Sequence, residues 1–149
     1  MERHNNIYGK GLIETLNKDY WGEYFGWIWY MWLERLFFNR GLKAQFKELS
    51  EREKEQVVLI KNELKKYNVD VEDRPILAFF AFVLALFSFL IPKALFLRVN
   101  MGFFKKFIGV LKDQERRFGA ANPELFRGLV KHEEYQYECF RRIWLNTRN

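Results

Sequence analysis

The chain has 149 residues, a length typical of one domain, and its 25 Lys and Arg against 19 Asp and Glu give a net charge of +6. A hydrophobic content of 49%, with 16 Phe, 7 Tyr and 5 Trp, excludes an intrinsically disordered chain, and the low content of 9 Gly and 3 Pro argues against a turn-rich all-β domain. The single cysteine, Cys139, excludes an intramolecular disulfide framework and a cysteine-based zinc site.

The first two helices are predicted from apolar periodicity and from their end residues. Helix A is predicted from about Tyr8 to Asn39, before a glycine that favours a helix end. Helix B is predicted from Ser50 to about Asn68, because Ser50 and Glu53 match a capping box, in which each side chain bonds the other residue's backbone N–H.

Two further helices complete the predicted fold. Helix C is predicted from Pro75, a favoured first position, to about Phe118, with a kink at Pro92. Helix D is predicted to begin after Asn122 as N-cap and to end at about Asn146. We therefore expect an all-α four-helix bundle with two long hairpins, forming one domain over residues 1–149.

Residues 76–91 form the most apolar stretch, and its 16 residues are short of the roughly 20 that a membrane-spanning helix needs. Three alternatives follow: a helix lying in the membrane interface, a buried core helix, or a spanning helix. Residues 21–38 are nearly as apolar and could share a membrane face. Nearby basic residues could meet lipid phosphates or belong to an ordinary solvated face: Lys105, Lys106, Arg116 and Arg117.

The positive charge suits either nucleic acid or an anionic membrane surface. Because the basic residues are interspersed with acidic ones and no recognition motif is present, we expect no nucleic-acid partner. The high aromatic content favours the membrane. The polar first residues lack the apolar core of a signal peptide, so we expect an intracellular protein held peripherally or monotopically on the cytoplasmic face of a membrane.

Several acidic residues lie on otherwise apolar helical faces, where a carboxylate is costly unless it is paired or binds a metal. They are Glu23, Glu53, Glu115, Glu133 and the neighbouring Glu134. In helix bundles, inward-facing Glu residues with Glu-x-x-His pairs build two-metal sites. Here Gln56 stands three residues after Glu53, and Tyr137 stands three residues after Glu134. The alternative is a capping Glu53 and a solvated Glu134.

These patterns resemble the ferritin-like di-iron monooxygenases of ubiquinone biosynthesis, the demethoxyubiquinone hydroxylases. Residues 19–24 (DYWGEY) are similar to that family's Asp-His-Ala-Gly-Glu-Tyr, and residues 53–56 (EKEQ) are similar to its Glu-Lys-Asp-His. Residues 132–137 (HEEYQY) resemble its Asp-Glu-Glu-x-x-His. The Arg-Pro at 74–75 and the Asn-Pro-Glu at 122–124 also match in order, so the resemblance runs from about residue 12 to 145.

The resemblance implies a pair of iron ions held by Glu23, Glu53 and Glu134, with Gln56 and Tyr137 replacing the two histidines. The family's carboxylate on the third helix falls at Gly109, and Asp113 and Glu115 are the nearest substitutes. His132 precedes Glu134 instead of following it by three residues, so we expect it to be partly exposed.

Two functions are consistent with this pattern. One is an oxygen-dependent hydroxylation of a quinone ring by a membrane-associated di-iron protein, with an altered or lost metal site. The other is a non-catalytic helical scaffold or subunit that binds lipid, a quinone, a partner protein or a second copy of itself.

Overall fold

The computed structural model describes residues 2–146, with side chains from residue 9 onward, and the described part contains five helices and no strand. They are α1 (Glu2–Leu36), α2 (Arg40–Lys65), α3 (Pro75–Leu90), α4 (Lys93–Phe118) and α5 (Pro123–Asn146). The predicted all-α class and the helical bundle are confirmed.

The start of α2 differs from the prediction. Asn39 is the N-cap, and its side chain accepts a hydrogen bond from the Leu42 amide at 3.1 Å. Ser50 lies inside the helix and its hydroxyl donates to the Trp27 carbonyl at 3.3 Å. The capping box at Ser50 and Glu53 was wrong, because Glu53 faces the bundle interior and does not cap a helix end.

The predicted kink at Pro92 is a complete break. Proline lacks an amide hydrogen and disfavours a helical conformation in the residue before it. Ile91 is accordingly extended (φ −86°, ψ 153°), and α4 begins at Lys93. The predicted start of α5 is confirmed, since the Asn122 side chain accepts from the Leu125 amide at 3.1 Å.

Two helical hairpins make up the bundle. Helix α1 packs against α2, α4 packs against α5, and α2 meets α5, while α3 lies on the outside of α1. An aromatic cluster joins the four bundle helices, with ring centroids about 6 Å apart: Tyr30, Phe46, Phe96 and Phe140. The bundle helices therefore share one core.

Helix α3 is apolar but mostly exposed. Among its residues, only Ala81, Ala85 and Ser88 are buried. The interpretation of residues 76–91 as a core helix was therefore wrong. Within residues 2–146, no helix combines the length and apolar character needed to cross a membrane.

Candidate metal centre

Four polar side chains meet in the interior of the bundle. One comes from α1, one from α2 and two from α5: Glu23, Glu53, His132 and Glu133. One ligand atom from each lies within 4.8 Å of all the others, and the residues are between 2% and 5% exposed. We call these four residues the carboxylate–histidine cluster.

A glycine on α1 makes room for the α2 ligand. A Cβ atom at Gly26 would lie 2.8 Å from Oε1 of Glu53 and 2.9 Å from its Cδ, which is closer than such contacts allow. The missing side chain therefore lets the Glu53 carboxylate lie directly against the α1 backbone, next to Glu23.

Gln136, one turn after Glu133 on α5, bonds to the cluster through its side-chain amide. Its Nε2 donates to Oε1 of Glu53 at 2.8 Å and to Oε1 of Glu133 at 3.1 Å, and it lies 3.0 Å from Nε2 of His132. The Tyr30 hydroxyl donates to the amide oxygen of Gln136. This second bond orients the amide so that its NH₂ group faces the carboxylates.

The cluster nevertheless has unsatisfied polar atoms. One oxygen of each carboxylate, Oε2 of Glu23, Glu53 and Glu133, is buried without a hydrogen-bond partner among the described residues. Nε2 of His132 lies 3.5 Å from Oε2 of Glu23 and 3.6 Å from Oε2 of Glu53. Buried polar atoms without partners are rare and costly, and either a shared carboxyl proton or a bound cation would satisfy these oxygens.

Burial dominates the protonation of the cluster. It raises the pKa of Glu53 from an ordinary 4.5 to about 8. The pKa of Glu23 is raised well above its ordinary value, mainly by burial and secondly by repulsion from Glu53. The pKa of Glu133 is also raised well above its ordinary value, mainly by burial and secondly by repulsion from Glu23. Burial also lowers the pKa of His132. These shifts favour protonated carboxyl groups and a neutral imidazole in the metal-free cluster, so a cation that binds there would displace protons.

The donor set fits a first-row divalent ion. Carboxylates and imidazole together suit Fe²⁺ or Mn²⁺, and each of the four residues offers one ligand atom within 4.8 Å of the others. The buried cluster could therefore hold a metal.

The structure separates the predicted ligands. It brings Glu23 and Glu53 together, but Glu134 lies at the surface with its side chain 46% exposed and 2.6 Å from Lys112. Adjacent helical residues point about 100° apart, so only one of two neighbouring acids can face inward, and here it is Glu133. The expectation that His132 is partly exposed was wrong, since it is 5% exposed and belongs to the cluster.

The substitute ligands also lie elsewhere. Gln56 is half-buried beside His132, and Tyr137 packs against the edge of the core. Asp113 pairs with Arg116 and Arg117 at 3.1 and 2.8 Å. Glu115 lies 3.9 Å from Arg127, and Gly109 is exposed. In the described part of the chain, α4 thus contributes no residue to the cluster.

The α5 periodicity carried a signal for His132 that the sequence analysis missed. Positions 125, 129, 132, 136, 139 and 143 recur at helical spacing and are buried together. His132 and Gln136 interrupt an otherwise apolar stripe on that face, which is a pattern of buried polar residues.

An apolar cavity of about 440 Å³ adjoins the cluster. Glu23, Glu53, Glu133 and Gln136 line one part, and the remaining lining is mostly aromatic and aliphatic, from α1, α3 and α4. Its two polar residues from α3 and α4, Ser88 and Asn100, donate to carbonyls of their own helices at 2.8 Å. The lining residues Phe87, Val99 and Phe103 are also exposed, so the cavity reaches the α3–α4 surface.

Fold and site together define a helical bundle with a buried carboxylate–histidine cluster beside an apolar cavity. Compared with models of protein families, with curated proteins and with solved structures, the chain shows no match.

Proposed function

We propose that this protein is a ferritin-like, metal-dependent oxygenase that acts on a lipophilic ring compound taken from a membrane surface. The observation that carries the proposal is the set of three buried, unpartnered carboxylate oxygens lining an apolar cavity. The sequence resemblance to quinone-ring hydroxylases supports a prenylated quinone precursor as the substrate class.

The cluster residues would hold the metal. Two-metal sites in helix bundles use four Glu and two His from four helices. This cluster has three Glu and one His from three helices, so we propose one iron ion in place of the two that the resemblance implies. Bound iron would activate oxygen for ring hydroxylation, and an external two-electron reductant would supply the electrons that reduce the second oxygen atom to water.

The protein's own residues would position the substrate and exclude water from it. Apolar side chains of α3 and α4 exclude water from the cavity, and the cluster lies against it. The buried indole N–H of Trp29, which belongs to a cavity-lining residue, has no acceptor among the described residues. A ring oxygen of the substrate could accept from it.

A membrane surface is the proposed source of the substrate. The exposed α3 side chains include Ile76, Phe79, Phe80 and Leu90, and α4 carries exposed cations, which suits an anionic interface. Because the cavity reaches this same surface through Phe87 and Phe103, a lipophilic molecule could pass into it without crossing water.

One observation favours a second candidate, a non-catalytic binder of a lipid or quinone. The Gln136 amide already donates to Glu53 and Glu133 and so satisfies part of the cluster without any ion. In that case the cavity would hold its ligand, and the carboxyl groups would stay protonated.

Metal content decides between the two candidates. The full chain would be purified in detergent, loaded with Fe²⁺ without oxygen, and its iron counted per chain by mass spectrometry. Glu23→Gln removes a cluster ligand, and Glu134→Gln is the matched surface control on a residue outside the cluster. We expect one iron per chain, lost in Glu23→Gln and kept in Glu134→Gln.

The loaded protein would then receive oxygen, a short-chain prenylated quinone precursor and ascorbate as a two-electron reductant, and mass spectrometry would detect the gain of one oxygen atom, the other being reduced to water. Two irons per chain would restore the two-metal alternative. Iron content that is low and equal in all three proteins would leave the non-catalytic binder.

A further inference from the structure

A second cleft, separate from the apolar cavity, is lined by one residue of the cluster, His132. A polar cleft of about 170 Å³ lies between α2 and α5 and is lined by Arg52, Glu55, Gln56, Gly128, Lys131 and His132. None of these residues lines the apolar cavity. We call it the α2–α5 cleft.

His132 separates the cleft from the carboxylates. His132 is the cluster residue that lines the cleft, and its Nε2 lies 3.5 Å from Oε2 of Glu23 and 3.6 Å from Oε2 of Glu53. One turn earlier on α5, Gly128 has no side chain, and a Cβ there would meet no described atom within 4 Å. The cleft is therefore open above the imidazole, and His132 is the first cluster residue reached from it.

The two openings suit different molecules. A hydrated divalent cation would lose its water shell among the aromatic side chains of the cavity, at a large cost in free energy. The cleft instead offers the carboxylate of Glu55, the amide of Gln56 and the imidazole of His132, which can replace water molecules stepwise.

The cleft's cations do not form a closed positive barrier. Arg52 is turned toward Glu48, with Nε 3.2 Å from Oε1, and its guanidinium lies 3.9 Å from the centre of the Tyr135 ring. The charge of Arg52 is thus compensated by Glu48. The cleft is also lined by the carboxylate-bearing Glu55, whose negative charge offsets the positive charge of Lys131.

We propose that metal ions reach the cluster through the α2–α5 cleft and bind His132 first, whereas the apolar cavity admits only the lipophilic ligand. This inference rests on the metal binding of the proposed function.

A plug in the cleft tests the route. Co²⁺ alone is added to the metal-free full chain, and its uptake is followed by visible absorbance in a stopped-flow instrument. Gly128→Leu fills the cleft beside His132, and Gly109→Leu makes the same change at an exposed position of α4, where a Cβ also meets no described atom within 4 Å. We expect about tenfold slower uptake in Gly128→Leu, within the range of on-rates among variants of one site, with unchanged final stoichiometry. Gly109→Leu should behave as the unmodified protein.

A charge reversal gives an independent readout that needs no plug. Lys131→Glu at the cleft should speed Co²⁺ uptake through electrostatic attraction, whereas Lys105→Glu on α4 changes the net charge equally and should have little effect. Equal rates for Gly128→Leu and Gly109→Leu, or acceleration by Lys105→Glu alone, would overturn the route while leaving metal binding intact. Absence of stoichiometric Co²⁺ binding in the unmodified protein would overturn the proposed function itself, and the route with it.

Discussion

The side-chain NH₂ group of Gln136 places partial positive charge next to the carboxylates of Glu53 and Glu133. Its Nε2 lies within 3.1 Å of atoms from Glu53, His132 and Glu133, and the Tyr30 hydroxyl fixes its orientation by donating to the amide oxygen. An NH₂ group at this place partly replaces a cation electrostatically. A metal ion must therefore compete with Gln136 for the same carboxylates.

Gln136→His should strengthen metal binding. The substitution removes the competing donor and places an imidazole three residues after Glu133, where one helical face presents both side chains. We expect about tenfold tighter Co²⁺ binding, a typical size for changes around a metal site, measured by competition with a chelator.

Gln56→His is the matched control, because it stands three residues after Glu53 but lines the α2–α5 cleft outside the cluster. An equal gain in both variants would contradict the role given to Gln136, since it would mean that any added histidine suffices.

Asp19 is a buried acid outside the cluster, one turn before Glu23. Nε2 of Gln114 donates to its Oδ1 at 3.0 Å, while Oδ2 of Asp19 and Oε1 of Gln114 are buried without partners among the described residues. A proton on Oδ2 could satisfy both atoms. Burial raises the pKa of Asp19 from an ordinary 3.8 to about 6, which agrees with such a proton.

Asp19→Asn should stabilise the metal-free protein at neutral pH. Because the folded pKa of Asp19 exceeds its ordinary value, the folded state binds the proton more tightly, and stability falls as pH rises from 3.8 to about 6. The Asn amide stays neutral and can donate to Oε1 of Gln114. We expect a gain of about 3 kcal/mol in the free energy of unfolding near pH 7, from the size of the shift.

Urea unfolding of both proteins across this pH range measures the effect, which should vanish below the lower pKa. Asp113→Asn, at a surface acid paired with Arg116, is the control. If Asp19→Asn left the pH dependence of stability unchanged, Asp19 would not be the titrating group.

At the scale of elements, the approach of α2 to α1 sets the position of Glu53. Gly26→Ala places a methyl group 2.8 Å from Oε1 of Glu53 and must displace the carboxylate. Because the end of a Glu side chain moves easily, we expect little loss of stability but at least about tenfold weaker Co²⁺ binding.

Gly22→Ala is the matched control for this prediction. It lies one turn earlier on α1, and a Cβ there meets no described atom within 4 Å. It should retain metal affinity and gain about 0.5–1 kcal/mol of stability from helix propensity. Equal metal affinity in the two variants would show that the Gly26 contact does not position the ligand.

A helix end was predictable from the sequence only where the capping residue makes no tertiary contact in place of the cap. Asn122 before Pro123 predicts the start of α5, and the structure confirms it. Ser50 and Glu53 matched a capping box equally well, yet α2 begins at Arg40, because both side chains serve contacts with α1 inside the bundle. Spacing along one chain cannot distinguish a capping acid from a buried one.

Only part of the candidate site was predictable from the sequence: two of the predicted ligands lie in the cluster, and on α5 the prediction was off by one residue. Glu23 and Glu53 were chosen because each lies on an apolar face, and both are in the cluster. On α5 two adjacent acids shared the pattern, and the rotation that turns Glu133 inward and Glu134 outward depends on packing against α2 and α4. The same rotation buries His132, which no local motif required.

At the scale of the whole molecule, the aromatic content is divided between two places. Part of the 16 Phe fills the core, and much of the rest is exposed on α3 and α4. Exposed apolar patches of this kind usually mark an interaction surface. The apolar cavity reaches the same surface, so surface and site form one continuous apolar path to the cluster.

A charge on this surface should weaken binding to lipid. Phe79 of α3 is 60% exposed and does not line the cavity, so Phe79→Glu alters the surface alone. We expect at least about tenfold weaker binding to vesicles of phosphatidylcholine and anionic phosphatidylglycerol, since burying a Phe side chain contributes about 1.5–3 kcal/mol. Flotation of the full chain with vesicles measures the bound fraction.

Leu59→Glu supplies the comparison for that measurement. Leu59 is 51% exposed on α2, in a shallow depression with Glu51, Lys54 and Glu55, so the same charge is added to an already charged surface. It should bind vesicles as the unmodified protein does. Equal loss in both variants would mean that net charge alone governs lipid binding, and equal retention would mean that α3 does not contact the lipid. If Phe79→Glu alone loses vesicle binding and keeps its metal content, the cluster is intact in that variant. The α3 surface beside the mouth of the cavity then contacts the membrane.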